Sequence, residues 1–90
     1  MSLLFTTGQT GNKEIIDNGW VCMYVGTEAS TSTDNAKLTI NNTYIAEMFV
    51  ATQQYERHSV MCPVSSGDIL TMTKDSNFPG WYNVWFIPIK

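Results

Sequence analysis

Apolar side chains that alternate along short segments constrain the fold of this chain more than any other feature. Residues 20–25 would place apolar side chains on both sides of a strand, with Trp20, Cys22 and Tyr24 on one side and Val21, Met23 and Val25 on the other. β-Branched and aromatic residues are abundant, and turn-forming residues recur about every ten positions. The sequence therefore predicts an all-β fold, a small antiparallel β-sandwich or jelly roll of about eight short strands, in a single domain over residues 1–90.

The predicted strands are bounded by residues that favour turns. They cover residues 3–6, 14–16, 20–25, 36–41, 44–51, 57–64, 68–74 and 81–89. Asn18-Gly19 predicts a turn with positive φ, and Asn41-Asn42 predicts the turn of a hairpin. Residues 26–35 and 53–56 are predicted to be loops, and Pro63 predicts a break or a sheet edge because it lacks a backbone donor.

Two of these strands, at residues 20–25 and 84–89, carry more apolar surface than one sandwich core covers. An antiparallel sheet with one face in water should alternate apolar with polar residues. Self-association is the simplest cover for a second apolar face, since most soluble oligomers are homo-oligomers. The residues predicted to lie in such an interface are Trp20, Cys22, Tyr24, Trp85, Ile87 and Ile89. The alternative is that some of them are exposed singly, which is common for apolar side chains.

Charge is sparse and excludes several classes of partner. Charged residues make up 14% of the chain, the net charge is −3, and the five Lys and Arg residues are scattered. A nucleic-acid partner is therefore not expected, because a phosphate backbone is recognised by clustered cations. No apolar run approaches the ~18 residues of a membrane span, so membrane insertion is not expected either. The first residues lack the basic and apolar regions of a signal peptide.

Catalytic and metal-binding signatures are weak. The chain has one histidine, His58, and two cysteines, Cys22 and Cys62, which are predicted to be free, buried and reduced. His58 and Cys62 would share a strand face about 13 Å apart, too far for a dyad. A dyad of His58 with Cys22 stays open, and with it a small thiol hydrolase. The main prediction is that the protein is not an enzyme and has no metal or cofactor.

A group of loop residues is a candidate ligand site. Aromatic rings beside short polar side chains can stack on a sugar or hold a partner. The candidate ligand loop comprises Tyr55, Asp75, Asn77, Phe78, Trp81 and Tyr82. In the alternative interpretation, Trp81 and Tyr82 simply begin a core strand. Asn41-Asn42-Thr43 also fits an N-glycosylation sequon, but a plain hairpin turn is expected in the absence of a secretory signal.

Four segments, taken in order, resemble a known family. They are Asp17-Asn18-Gly19-Trp20-Val21, the run from Leu38 to Ile45, the run from Pro63 to Leu70, and Phe86-Ile87-Pro88-Ile89-Lys90. This order resembles the small jelly-roll tip domains of phage and prophage tail fibres. It is more distantly similar to the trimeric jelly rolls of the tumour necrosis factor and complement type. Asn42-Thr43 stands where such a hairpin usually has a glycine.

The resemblance implies a role in attachment. It implies a homotrimer that packs through apolar side chains near a threefold axis. It also implies a virion protein, made in the bacterial cytoplasm, whose loops contact a host cell-surface saccharide or protein. The expected function is therefore a non-enzymatic receptor-binding tip of a tail fibre or appendage. The alternative function is a monomeric carbohydrate-binding β-sandwich.

Overall fold

A computed structural model describes residues 1–27, 34–49 and 56–89 of the chain. Every regular element in these ranges is a β-strand. The strands are β1 Ser2–Thr6, β2 Gly11–Glu14, β3 Gly19–Thr27, β4 Asn35–Ile40, β5 Thr43–Phe49, β6 Glu56–Val64, β7 Ile69–Lys74 and β8 Trp81–Pro88.

The strands form two antiparallel four-stranded sheets. Sheet 1 has the order β1-β8-β3-β6, and sheet 2 has the order β2-β7-β4-β5. The chain passes repeatedly from one sheet to the other, which gives a jelly-roll sandwich. The predicted fold class of about eight short strands is confirmed.

The core lies between the two sheets. It consists of buried, mainly aliphatic and aromatic side chains from both inner faces: Phe5, Ile15, Val21, Met23, Val25, Ala36, Leu38, Val64, Leu70, Met72, Phe78, Tyr82 and Val84. Burying each of the larger ones stabilises the fold by roughly 1.5–3 kcal/mol. The hydroxyl of Tyr82 donates a hydrogen bond to the carbonyl of Gln9 at 2.6 Å, so this polar group has a partner.

The hairpin predicted at Asn41-Asn42 is confirmed. Ile40 pairs with Thr43, so the turn has two residues. Asn41 has a φ of 51° and Asn42 a φ of 69°. Positive φ at both positions defines a type I′ turn, which asparagine tolerates better than most residues.

The turn predicted at Asn18-Gly19 differs from the structure. Neither residue has a positive φ, and Gly19 begins β3. A Cβ at Gly19 would collide with the carbonyl of Ile87 and with the ring of Phe86. Glycine is therefore needed here for a close approach between strands rather than for a turn.

Several predicted boundaries also differ. β2 begins at Gly11 rather than at 14, because pairing with β7 starts at Met72. Gly26 and Thr27 continue β3 instead of starting the loop, since both pair with β6 and Gly26 also pairs with β8. The rest of the predicted loop at 26–35 lies mostly outside the described residues, as do positions 50–55. Pro63 lies in β6, an edge strand, as its missing donor predicted.

The two cysteines are free but half-buried, not buried as predicted. Their strands β3 and β6 are neighbours, yet Cys22 pairs with Met61 while Cys62 pairs with Val21. This offset of one residue puts the two thiols on opposite faces of sheet 1, because side chains alternate along a strand. A disulfide between them is excluded in this register.

Candidate interface on the outer face of sheet 1

The outer face of sheet 1 is built from four rows of side chains that run across the strands. The register places together Pro63, Trp20 and Ile87 in row one; Met61, Cys22, Trp85 and Leu3 in row two; Ser59, Tyr24, Asn83 and Thr6 in row three; and Arg57, Gly26 and Trp81 in row four. Rows one and two are entirely apolar. These seven residues are called the apolar face below.

The apolar face is partly open to solvent. The exposed fraction is 38% for Trp20, 48% for Leu3 and 57% for Met61. Cys22, Trp85 and Ile87 are half-buried by their neighbours on the face. Single exposed apolar residues are ordinary, but a contiguous patch on a folded monomer usually marks a contact surface.

Sheet 2 provides an internal comparison, because its outer face is mainly polar. Lys37 lies 3.7 Å from the carboxylate of Glu47, and the hydroxyl of Thr71 donates to Asn12 at 2.8 Å. Among the side chains of this face that the structure describes, Tyr44 and Ile69 are the exposed large apolar ones. Sheet 2 thus shows the alternation expected for a face in water, whereas sheet 1 does not.

Row four closes one end of the face with internal contacts. The ring of Trp81 lies over Gly26 and meets the ring of Tyr24 edge-on, with centroids 5.1 Å apart. The guanidinium carbon of Arg57 lies 5.1 Å from the centre of the Trp81 ring. Arg57 also donates a hydrogen bond to the carbonyl of Thr27 at 3.3 Å. This end of the face therefore carries the positive charge of Arg57, and the guanidinium and the Trp81 ring already have contacts within the chain.

The structure brings the predicted interface residues together. Trp20, Cys22, Tyr24, Trp85 and Ile87 all lie in rows one to three. Ile89 follows β8, is 59% exposed, and donates its N–H to the carbonyl of Asn18 at 3.2 Å. Their role as an interface stays a prediction.

Sequence reasoning missed Leu3, Met61 and Pro63 in this surface. Leu3 joins it only because β1 pairs with β8, and the other two because β6 pairs with β3. The alternation of Met61 with Val60 and Cys62 indicates that Met61 lies on one face of its strand. The sequence does not show which strands pair with each other when they are far apart in the chain, so it could not place Met61 beside Cys22.

The candidate ligand loop is only partly at the surface. Phe78 and Tyr82 are buried in the core, with ring centroids 6.4 Å apart. The turn after β1 lies against Tyr82 and accepts the hydrogen bond of its hydroxyl through the carbonyl of Gln9. Tyr55 lies outside the described residues. The site stays a prediction that depends on Asp75, Asn77 and Trp81.

Asp75 and Trp81 both have contacts within the chain that limit how they could bind a ligand. Asp75 accepts the N–H of Asn35 through its carboxylate at 3.0 Å and that of Phe78 through its carbonyl at 3.1 Å. Trp81 is held in row four, so only part of its ring is free to stack on a ligand.

A catalytic pair of His58 with Cys22 does not form. His58 pairs with Val25, whose side chain points into the sandwich, whereas Cys22 points outward. The two groups therefore lie on opposite faces of sheet 1. In the described ranges, three or more His, Cys, Asp or Glu side chains do not come together as metal ligands.

Comparisons with known proteins support the fold. No protein-family model matches the chain, and no curated protein matches it significantly. The crystal structure of rabbit GITRL, a ligand of the tumour necrosis factor family, matches with a TM-score of 0.58 and 13% sequence identity. The match covers 84% of this chain and 70% of that one. Likeness at this identity shows a shared jelly roll of the type found in that ligand.

This match agrees with the more distant of the two resemblances found in the sequence, while the tail-fibre resemblance stays a prediction. Among residues 1–27, 34–49 and 56–89, no helix has the length and apolar character needed to cross a membrane.

Proposed function

We propose that the chain is a non-enzymatic binding module that works as a homotrimer, with the apolar face of each copy packed against its neighbours. The observation that carries this proposal is the contrast between the two sheets. One outer face is mainly polar, and the other has two complete rows of apolar side chains. Exposure of such an apolar surface to water is unfavourable, so burial of the surface against another copy would be favourable.

The composition of the surface suits a protein interface. No residue in rows one to three carries a formal charge. Interface cores are enriched in aromatic residues and Met and depleted in charge. Trp20 and Trp85 are the natural anchors, since a Trp side chain buries up to about 250 Å². Arg57 in row four would lie at the rim, where charged groups are tolerated.

A threefold assembly is favoured over other closed arrangements by the resemblance. Any closed symmetry covers the face on every copy. The tail-fibre tips and the tumour-necrosis-factor-type jelly rolls that the sequence resembles are trimeric, and rabbit GITRL has the same fold class. These points support the number three.

The finer proposal is that the trimer forms the tip of a virion tail fibre or appendage and contacts a host cell surface. It rests on the order of the four sequence segments given above. The loops beyond row four, near Trp81, Asp75 and Asn77, are the proposed contact region. A glycan array with wild type and Trp81→Ala would test for a saccharide receptor, and signals equal for both proteins would remove Trp81 from the site.

Light scattering coupled to size-exclusion chromatography tests the assembly. At micromolar concentration we expect a particle of about three times the 10.1 kDa chain mass. Met61→Asp should give a folded monomer, because the Met61 side chain is 57% exposed in the single chain and tolerates a charge there until a partner covers it.

The matched control is Tyr44→Asp. Tyr44 is 62% exposed on an edge strand of sheet 2, so the same charge is placed on the opposite outer face. This variant should stay trimeric. A monomeric wild type would contradict the proposal, as would a Met61→Asp protein that remains assembled.

A further inference from the structure

Strand β6 forms one edge of sheet 1. Within the described residues it pairs only with β3, through nine consecutive residue pairs. Every second residue of such an edge strand directs its backbone N–H and C=O away from the one neighbouring strand. Arg57, His58, Ser59 and Met61 are exposed, so this edge lies at the surface of the chain. β6 therefore presents a row of backbone groups to which a further strand could pair.

The other three edge strands each have a feature that hinders the addition of a strand. β1 and β5 both have an irregularity in their pairing with the neighbouring strand. β2 has only four residues, and the ammonium of its Lys13 lies 5.6 Å from the centre of the ring of the core residue Phe5. Bulges, short strands and inward-pointing charges are the usual protection of sheet edges. β6 has Pro63 near its end, but its pairs with β3 show no irregularity, so it is the edge best suited to accept a strand.

A groove beside β6 has room for the side chains of an added strand. It has a volume of about 250 Å³ and lies between β6 and β5, which is an edge of sheet 2. Its lining consists of Met23, Val25, Ile45, Ala46 and Val60, together with Glu47, His58 and Ser59. Because side chains alternate along a strand, a strand added to β6 would place every second side chain in this groove. The remaining side chains would lie beside Ser59 and Met61 and extend rows two and three.

We propose that β6 binds an extended peptide segment of a partner protein by strand addition. The outward-facing N–H and C=O groups of β6 would pair with the peptide backbone, and the groove would take its side chains at alternate positions. Short β-branched side chains such as Val and Thr suit the groove, because Val60 and Ile45 give it apolar walls while His58 and Glu47 offer hydrogen-bonding groups. The proposal goes beyond the trimer, since its surface is the edge of sheet 1 and not the apolar face.

The same features argue against other occupants. A small molecule would fill the groove but leave the backbone groups of β6 unpaired. A helix would do the same, because its own backbone groups are paired internally. A second copy could pair through its own β6 and give a twofold dimer. The irregularity in β5 hinders sheet 2 from continuing across that contact, so only one of the two sheets would be joined.

NMR titration of the full chain with two matched peptides tests the proposal. The first is a peptide of about seven residues, an ordinary strand length, with alternating Val and Thr and a Lys at each end. The second has the same side chains but an N-methyl group on every internal residue, so it has no internal N–H to donate. We expect the first peptide to shift the backbone amides of β6 and to slow their hydrogen exchange by at least about tenfold. The methylated peptide should do neither.

Two variants with the same new charge locate the site. Val60→Lys should abolish peptide binding, because an added strand would cover the ammonium. In the free protein Val60 is half-buried at the border of the groove, so the long lysine side chain can reach water. Ser2→Lys places the charge on β1, the opposite edge of sheet 1, and should bind the peptide as wild type does. Urea unfolding checks that both variants are folded.

Equal binding of the two peptides would contradict strand addition, because side chains alone would then account for it. Unchanged β6 amides at about 1 mM peptide would overturn the site itself. Leu3→Asp places a charge in the apolar face on β1, far from β6, and should bind the peptide as wild type does. Binding by Leu3→Asp alone would make a second copy the occupant of the edge and contradict this proposal.

The outcome for the edge is separate from the outcome for the trimer. A trimeric wild type that leaves the peptide unbound would overturn strand addition and keep the proposed assembly. A monomeric wild type that binds the peptide at β6 would overturn the assembly and support strand addition.

Discussion

Gly26 shows how a missing side chain shapes the functional face. A Cβ at this position would collide with the ring of Trp81, which covers the glycine and also contacts Tyr24 and Arg57. The absence of a side chain therefore makes the row-four arrangement possible. The sequence predicted a loop at Gly26, because glycine beside a run of Ser and Thr favours one. Its partner lies 55 positions later in the chain, beyond the reach of local patterns.

Gly26→Ala should destabilise the protein by about 1–3 kcal/mol, because the new methyl group displaces the Trp81 ring. The free energy of unfolding in urea, followed by circular dichroism, measures the cost. In a Trp81→Ala background the same substitution should cost much less, because the colliding ring is gone. Additive costs in the double variant would contradict this contact.

Aromatic residues close to loops were the least predictable at this scale. Phe78 and Tyr82 follow turn-forming residues, so they resembled a ligand-binding loop. In the structure both rings enter the core, and the hydroxyl of Tyr82 is satisfied by Gln9. Local sequence does not reveal that the turn after β1 folds over β8, because that contact joins residues more than seventy positions apart.

At the scale of elements, two turns at one end of sheet 2 are joined by side chains. The side-chain amide of Asn41 donates to the Asp68 carboxylate at 3.1 Å and accepts the N–H of Ile69 at 2.9 Å. Asp68 also accepts the N–H of Ser65 at 2.9 Å. The β4–β5 hairpin is thereby tied to the turn between β6 and β7. The type I′ turn was predictable from Asn41-Asn42, but its tie to Asp68 was not.

These hydrogen bonds favour the charged form of Asp68. The N–H of Ser65, and secondly the amide of Asn41, hold the pKa of the Asp68 carboxyl below its usual value. A carboxyl whose pKa is lower in the folded than in the unfolded state stabilises the fold above the unfolded pKa. That contribution is lost as the pH falls through the lowered pKa.

Asp68→Asn should therefore be less stable than wild type at neutral pH, and the difference should shrink in acid. Urea midpoints measured between about pH 7 and about pH 2.5 test this, since unperturbed Asp titrates near 3.9. A difference that stays constant over the whole range would mean that the charge of Asp68 makes no contribution. The expected trend would confirm the tie between the two turns.

At the scale of the whole molecule, the number of strands and their packing into a sandwich were predictable, because period-two alternation and turn residues are local signals. The presence of a second apolar face was predictable from residues 20–25 and 84–89 for the same reason. Its full extent was not. Leu3 and Met61 enter it through strand pairings between distant parts of the chain, and these pairings follow from the jelly-roll order rather than from any segment.

Because the two thiols lie on opposite faces of sheet 1, their labelling rates can report whether the apolar face is covered. Cys22 lies within the apolar face, while Cys62 points to the other side of the edge strand β6. Assembly should cover Cys22 and leave Cys62 accessible. The ratio of the maleimide labelling rate of Cys62 to that of Cys22 should therefore be much higher in the assembled protein than in the dissociated one. Peptide mass spectrometry at successive times gives the ratio of the two rates, in which temperature and reagent concentration largely cancel.

Dilution of wild type, or the Met61→Asp substitution, should raise the labelling rate of Cys22 without a matching change at Cys62. A ratio that is insensitive to both would indicate that the apolar face is never covered. Because the readout needs no fluorophore and no engineered residue, it applies to the protein inside a larger particle. The one-residue offset between Cys22 and Cys62 thus provides a direct way to ask whether this surface is occupied in its native setting.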